Sequence, residues 1–496
     1  MSENTIHSYH AFLFPFRWEK DGKIDLNEFK TELENVGWKY EPFTIKTARD
    51  YNEFIYFYEY AREAIYNTNK IFTPNQTTYH FNYDIKNGKY IIKIKKQEKP
   101  YELNIEEISI KVYETGIAIL SFQMENRNYP EIKDIKKIND FGRRTYPQYL
   151  PLDAVQESFL AESIEITGAP LELKETFKDY INLDFDITSY QNPARLPRFI
   201  KNLLGENFSD NIIKNKIFVD PVVDDRMFTL CWYGDDKTAE HLTKFDTEKQ
   251  CYAYETDPLW HELIFIDNDT ATCESKIMLP KLLRERTYDR WIDQGTLFGI
   301  SRYSFILITK RGWFPENILL NHFKTMYYQM VVLALAQRAS ILDFSKRITR
   351  ISKVKSLFSD KVPSLFQDYL RFVNKMCLTE VTAQEQGIEM YDMMLTCMKI
   401  KENNKNIEGE IKTLHNTADL IEEKRTAKAI NKITIIGLYL LLPSLVIGFL
   451  GMSVFSKSFL CLHIDKWWLW AGYILISFPV AGFIHWLIRP KKEERK

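Results

Sequence analysis

The sequence predicts an α/β N-terminal domain, then a long α-helical stalk, then two C-terminal transmembrane helices. Three observations carry this. Ile433 to Phe455 is uncharged, and as a helix rising about 1.5 Å per residue it covers a hydrocarbon core of about 30 Å. A second apolar run, Trp467 to Ile488, follows a short loop. Ahead of both, hairpin and strand patterns mix with helical ones up to about residue 317, after which helical patterning takes over.

The domain boundaries follow: 1–317 an α/β domain, 318–432 a helical stalk, 433–455 the first transmembrane helix, 456–466 an outer loop, 467–488 the second, and 489–496 a basic tail. The chain has 496 residues and a net charge of −1, which gives no global basic field for nucleic acid. Mean hydropathy is negative at −0.32 despite the two apolar runs, so most of the mass is water-facing. Six cysteines are scattered without a CxxC pair, which reads as reduced thiols and neither a disulfide frame nor a zinc site. The N-terminus is polar and lacks the basic start and apolar core of a signal peptide.

Within the first domain, Tyr79 to Asp84 and Tyr90 to Lys96 flank Asn87-Gly88, a hairpin signal because both turn positions tolerate positive φ. Ile108 to Tyr113 and Ile117 to Phe122 flank Thr115-Gly116, a second hairpin. Ile132 to Phe141 reads as a helix that Gly142 ends. Glu172 to Ile181 and Leu196 to Leu204 read as helices or loops; Ile217 to Val223, Phe228 to Tyr233, Leu263 to Ile266 and Phe305 to Thr309 read as strands. Leu319 to Ile351, free of Pro and Gly, reads as one long helix, and Pro363 opens another that runs up to Gly387. Lys401 to Asn406 reads as a turn. Ile407, Ile411, Leu414, Ala418 and Ile421 then repeat at heptad spacing, which suits packing on the domain's own helices or between subunits.

The first apolar run carries a stripe. Thr434, Gly437, Leu441, Ser444, Gly448 and Gly451 fall on one helix face, and all but Leu441 are small or hydroxylated. Tight helix packing and the lining of a water-filled path both call for such a face. Lys424, Arg425, Lys428 and Lys432 precede the run, and Arg489, Lys491, Lys492, Arg495 and Lys496 follow the second, so the positive-inside rule places both termini in the cytoplasm. The implied location is the bacterial inner (plasma) membrane, with the lipid bilayer as a partner.

Gly451-Met452-Ser453 at the outer end of the first run, Trp470-Ala471-Gly472-Tyr473 at the second, and the basic tail resemble the CorA superfamily of divalent-cation channels. Residues 116–122 (GIAILSF), 138–144 (INDFGRR) and 334–340 (ALAQRAS) are similar to bacterial CorA-like proteins. The resemblance implies a funnel-shaped homopentamer whose first transmembrane helix lines the pore, with a divalent cation, magnesium foremost, as transported or regulatory ion. Ser453 stands where the family has Asn, and the loop lacks the family's acidic Pro-Glu collar, so strict magnesium selectivity is not implied. Thr434, Gly437, Leu441, Ser444, Gly448, Gly451, Met452 and Ser453 would form the ion path, and Ile430, Ile433 and Leu441 the gate. Asp419, Glu422 and Glu423 could bind a regulatory cation or form a solvated helix face.

The large body and divergent mouth resemble the CorA-like effectors of type III CRISPR antiviral defence, which respond to S-adenosylmethionine joined to AMP. For such a nucleotide ligand, guanidinium forks suit phosphate and an indole suits adenine, which singles out Arg143, Arg144, Arg284, Arg286, Arg290, Trp291 and Arg302. Such residues ordinarily form surface salt bridges. No catalytic signature is present, so the expectation is a channel and not an enzyme. Constitutive magnesium, cobalt or nickel transport is the alternative, and a membrane-anchored enzyme the third reading.

Overall fold

The computed structural model describes residues 5–95, 97–146, 160–177, 196–223, 226–353 and 358–451, with Ala471, Leu475 and Pro479. The strands are β1 (Ser8–Lys20), β2 (Trp38–Tyr40), β3 (Thr78–Tyr83), β4 (Lys86–Lys93), β5 (Tyr101–Tyr113), β6 (Ile117–Asn126), β7 (Ser163–Ala169) and β8 (Leu171–Thr176). They continue with β9 (Phe208–Ser209), β10 (Ile217–Pro221), β11 (Phe228–Gly234), β12 (Phe245–Asp246), β13 (Cys251–Tyr252), β14 (Thr287–Tyr288), β15 (Thr296–Ile300) and β16 (Ser304–Thr309). Among the described residues, fourteen of these form one mixed sheet, with the path β14-β15-β16-β11-β1-β6-β5-β4-β7-β8 and with β3 joined to β5 and β2.

The central strand shows why the sheet is buried on both faces. Phe12, Phe14, Phe16 and Trp18 of β1 point into one aromatic core. On the alternate face, Tyr9 meets Phe323 edge-on at 6.3 Å, and Arg17 donates to Asp343 at 2.9 Å. A second core gathers Cys231 and Tyr233 of β11, Leu297 of β15, Ile306 and Ile308 of β16, and Trp260 and Leu263.

The helices in the first part are α1 (Leu26–Asn35), α2 (Ala48–Tyr56), α3 (Glu59–Ile65), α4 (Ile132–Gly142), α5 (Arg198–Leu204), α6 (Asp236–Thr243), α7 (Pro258–Phe265) and α8 (Met278–Arg286). Their starts follow local chemistry. Asp25 accepts from the backbone N–H of Asn27 and Glu28, and Thr47 and Asp50 form a reciprocal capping box. Asp257 caps α7 with Pro258 in its first turn, which turns Leu263 to Ile266 from the expected strand into the end of a helix.

Downstream come α9 (Leu320–His322), α10 (Tyr328–Lys353), α11 (Phe358–Lys375), α12 (Glu385–Cys397) and α13 (Ile400–Gly451). The expected single helix from Leu319 is interrupted: π-helical turns at Pro315–Leu319 and Phe323–Tyr327 flank α9. Pro363 lies inside α11 instead of opening a helix, and α11 stops at Lys375. Lys401 to Asn406 is helical, because α13 starts at Ile400.

The Thr115-Gly116 hairpin forms as expected between β5 and β6, with Gly116 at φ +84°. Asn87-Gly88 does not make a hairpin. β3 pairs with β2 and β5, and β4 with β5 and β7, so the dipeptide makes a register shift between Lys86 and Lys89 at the β4–β7 edge. Residues 171–176, expected as helix or loop, pair with β7 as strand β8.

The expected membrane part requires correction. Among the described residues, no helix is long and apolar enough to cross a membrane. α13 is charged up to Lys432, and its uncharged stretch among the described residues runs from Ile433 to Gly451. Thr434, Gly437, Pro443, Ser444 and Gly448 interrupt the apolar residues of this stretch. The two transmembrane helices, the membrane-channel architecture and the inner-membrane location predicted from sequence are therefore not supported. The outer loop, nearly all of the second apolar run and the basic tail lie outside the described residues.

The chain divides into two compact units: Met1–Lys353 with Ser364–Ile411, and Val354–Pro363 with Lys412–Lys496.

Candidate functional site

In the first unit, a polar cleft of about 360 Å³ opens over β3 and β5. Strand alternation builds its floor. Tyr79, Phe81 and Tyr83 of β3 turn into the aromatic core, which leaves Thr78, His80 and Asn82 on the other face. On β5, Tyr101 and Leu103 enter the core, but beyond the register shift between Ile105 and Glu107 the core residues are Ile108, Ile110 and Val112. The bulge thus switches the strand's faces and places Glu107 and Lys111 in the cleft. The register sets His80 directly opposite Lys111, and Asn82 opposite Ser109.

The walls come from the segment after β2, from α2, from the end of α3 and from the first turn of α10. They supply Glu41, Phe43, Lys46, Asp50, Tyr66, Asn67 and Gln329, among others. Phe43 packs on Tyr66 with ring centroids 4.3 Å apart, and its N–H donates to Asn67 O at 2.6 Å. Beneath them, Tyr66 Oη donates to Glu53 Oε1 at 2.9 Å, and Gln329 Nε2 to the same oxygen at 3.3 Å. Lys111 Nζ donates to Ile65 O at 2.9 Å and to Gln329 Oε1 at 2.5 Å.

Burial perturbs the charges here. It lowers the Lys111 ammonium to about 8, against the opposing pull of Glu53 and Glu107. It lowers His80 to about 4, aided by the Lys111 charge, so the imidazole is neutral near pH 7. Burial raises the Glu107 and Glu53 carboxyls. His80 and Glu107 keep 31 % and 34 % of their side-chain surface open, and His80 Nε2 stands 3.6 Å from Glu107 Oε1. That surface faces the cleft, whose walls exclude much of the solvent, so desolvation acts on them more strongly than the open area suggests. Burial also works to raise Asp50, but the backbone N–H groups of Lys46 and Thr47 hold its carboxyl below the usual range.

Two polar atoms in this lining are buried and have no hydrogen-bond partner among the described residues: Thr78 Oγ1, on a residue 2 % exposed, and Asn82 Oδ1. They lie on the same face of one strand and border the same space.

A second constellation has the form of a nucleophile and base. Ser8 Oγ lies 2.8 Å from His10 Nε2, and His10 Nδ1 lies 2.7 Å from Asn139 Oδ1. Asn126 Nδ2 donates to Ser8 Oγ at 2.8 Å, so the consistent arrangement has His10 Nδ1–H donating to Asn139 and Nε2 accepting from Ser8. Ser8 and His10 are fully buried and Asn139 is 1 % exposed, which leaves no approach for a substrate. The network satisfies polar groups between β1, β6 and α4.

The residues singled out from sequence sit elsewhere. Arg143, 2 % exposed, donates to Ile266 O at 3.3 Å, and Arg144 pairs with Asp140 at 2.9 Å. Arg284 pairs with Glu255 at 3.0 Å, Arg290 with Glu389 at 2.7 Å, and Arg286 hydrogen-bonds Cys397. Trp291 packs against Tyr288 and Phe298, and the carbonyl of Arg302 accepts from Arg338. None of the seven lines the cleft.

On α13, Thr434 Oγ1 donates to Ile430 O at 2.9 Å and Ser444 Oγ to Leu440 O at 2.6 Å, so both hydroxyls bond the preceding helical turn. Ile430, Ile433 and Leu441 are exposed, and Gly437, Gly448 and Gly451 lie on the same helix. Met452 and Ser453 lie outside the described residues. Asp419, Glu422 and Glu423 border a shallow hollow with Thr426, Ala427 and Ile430, and Asp419 stands 3.6 Å from His415. Among the described residues, no three His, Cys, Asp or Glu side chains are grouped to hold a metal.

The cleft carried a sequence signal that a search for motifs passes over. TYHFNY and EEISIKVY alternate polar and apolar residues as a half-exposed sheet would. Only the cover from residues 41–67 and Gln329 makes that polar face an enclosed one. No family model, curated protein or solved structure matches the chain.

Proposed function

We propose that the chain is a ligand-responsive effector that binds a small polar messenger in the cleft over β3 and β5. The observation that carries this is the pair of buried, unpartnered polar atoms, Thr78 Oγ1 and Asn82 Oδ1, in a cleft that also holds charges of both signs. A buried polar group without a partner costs roughly 1–3 kcal/mol, a cost that a ligand hydrogen bond would relieve. Perturbed titratable groups in a concave site point the same way. Of the messengers the sequence suggests, S-adenosylmethionine joined to AMP carries cationic and anionic groups on one molecule, as this lining requires.

Ile430, Ile433, Ile436, Leu440, Leu441 and Leu445 of α13 are exposed, more apolar surface in one stretch than a lone chain in water commonly shows. Other copies of the chain would cover it, so the effector is proposed to work as a homo-oligomer. Calorimetric titration of the full chain with the adenosylmethionine–AMP conjugate tests the reading. Saturable binding at micromolar ligand supports it, and absence of heat and of thermal stabilisation at millimolar ligand refutes it.

A further inference from the structure

We propose that the cleft is a zwitterion site, with an anionic end at Lys111 and Thr78 and a cationic end at Glu41, Glu107 and Asn82. The inference rests on the ligand-binding reading above and assigns the site's polarity.

The strand register separates the two ends. Lys111 faces His80, with Thr78 further along β3 in one direction; Asn82 faces Ser109 two residues along in the other, with Glu107 beyond it. At about 3.4 Å per residue, Asn82 lies roughly 7 Å along the strands from the Lys111–His80 pair and roughly 14 Å from Thr78. Lys111 Nζ spends two protons on Ile65 O and Gln329 Oε1, which leaves a third for a ligand oxygen. Thr78 Oγ1, buried and without a partner among the described residues, supplies a second donor at that end.

At the other end the groups accept. Asn82 spends its Nδ2 on Glu41 Oε2 at 3.3 Å and is left with Oδ1, an acceptor. Glu41 and Glu107 add carboxylates to the same end of the lining. An anion alone would meet the carboxylates of Glu41 and Glu107, and a cation alone would meet Lys46 and Lys111; a molecule carrying both charges satisfies both ends. His80, neutral between them, adds hydrogen bonding without net charge. The ligand class is a small molecule, or the head of a larger one, with an ammonium or sulfonium and an anionic oxygen group.

The test titrates the full chain with S-adenosylmethionine and methionine as zwitterions, AMP as an anion and spermidine as a cation. The expected result is binding of at least one zwitterion, with AMP and spermidine at least about tenfold weaker. Thr78→Val removes an unpartnered hydroxyl at nearly constant shape. It should weaken zwitterion binding by about tenfold while the melting temperature holds or rises, whereas a merely structural Thr78 would show a lower melting temperature and unchanged affinity. Lys111→Met, checked for folding by circular dichroism, should abolish binding. Equal binding of AMP or spermidine, or failure of both zwitterions, overturns the assignment. If the adenosylmethionine–AMP conjugate binds wild type and Thr78→Val equally, the chain binds the messenger but the polarity assigned to this cleft falls. If zwitterions bind here and the conjugate does not, the site stands and the messenger falls.

Discussion

Lys111 Nζ lies 2.5 Å from Gln329 Oε1, across 218 residues of sequence. The contact ties the floor of the cleft to the first turn of α10, just after a π-helical segment. Gln329 also reaches Glu53, so one amide bridges a buried ammonium and a buried carboxyl. Replacing it with Met leaves both short of a partner. Gln329→Met should lower stability by about 1–3 kcal/mol, read as a reduced urea midpoint at unchanged slope.

Two desolvated histidines, His10 and His80, give a signed pH dependence. Burial lowers both His10 and His80 to about 4, from an ordinary 6.5. Between those values the unfolded chain takes up protons that the folded chain refuses, so stability falls as pH drops from about 6.5 toward 4. The raised carboxyls of Glu53 and Glu107 oppose this in part, since folding favours their protonation. His80→Gln should therefore flatten the dependence of the melting temperature on pH across this window. An unchanged slope would contradict a neutral His80.

Arg17 and Asp343 form an ion pair that joins β1 to α10, with side chains 9 % and 5 % exposed. Asp343→Ala leaves the buried Arg17 guanidinium with Glu19 alone and should cost about 1–3 kcal/mol. The double variant Arg17→Met, Asp343→Leu should recover most of that loss, which denaturant unfolding of the double variant and its two single variants would resolve as a coupling energy.

Gly116 closes the β5–β6 hairpin at φ +84°, and a Cβ placed there would lie 2.5 Å from Ile24 Cδ1. Gly116→Ala therefore meets backbone strain and a clash together. A loss of about 1–3 kcal/mol is expected, measured as a lowered melting temperature.

The Ser8–His10–Asn139 network predicts a negative result that can be measured. Its fully buried hydroxyl should stay unlabelled by a fluorophosphonate probe under native conditions. Labelling at Ser8 would mean that β1 opens to solvent.

What the sequence made legible was local. The Thr115-Gly116 turn, α4, β11 and β16 lie where residue patterns place them, because each is set by neighbours within a few positions. Asn87-Gly88 misled because its turn preference yields to partners distant in sequence: β5 takes up β3 and β4, so the two strands do not pair with each other. Lys401 to Asn406 is polar enough for a turn, yet it continues into a helix whose Ile407 and Ile411 are buried. The apolar run from Ile433 suggested a membrane crossing, and no helix among the described residues is long and apolar enough to make one. The cleft escaped notice because its polar residues alternate like those of an exposed strand, and their enclosure depends on Gln329 and residues 41–67.

The central claim is that ligand enters the cleft over β3 and β5. Amide hydrogen exchange of the full chain, with and without saturating S-adenosylmethionine, tests it most directly. The account predicts added protection in residues 41–50, 65–67, 78–82 and 107–111 and at the first turn of α10. Protection confined to other segments, or none, would contradict it.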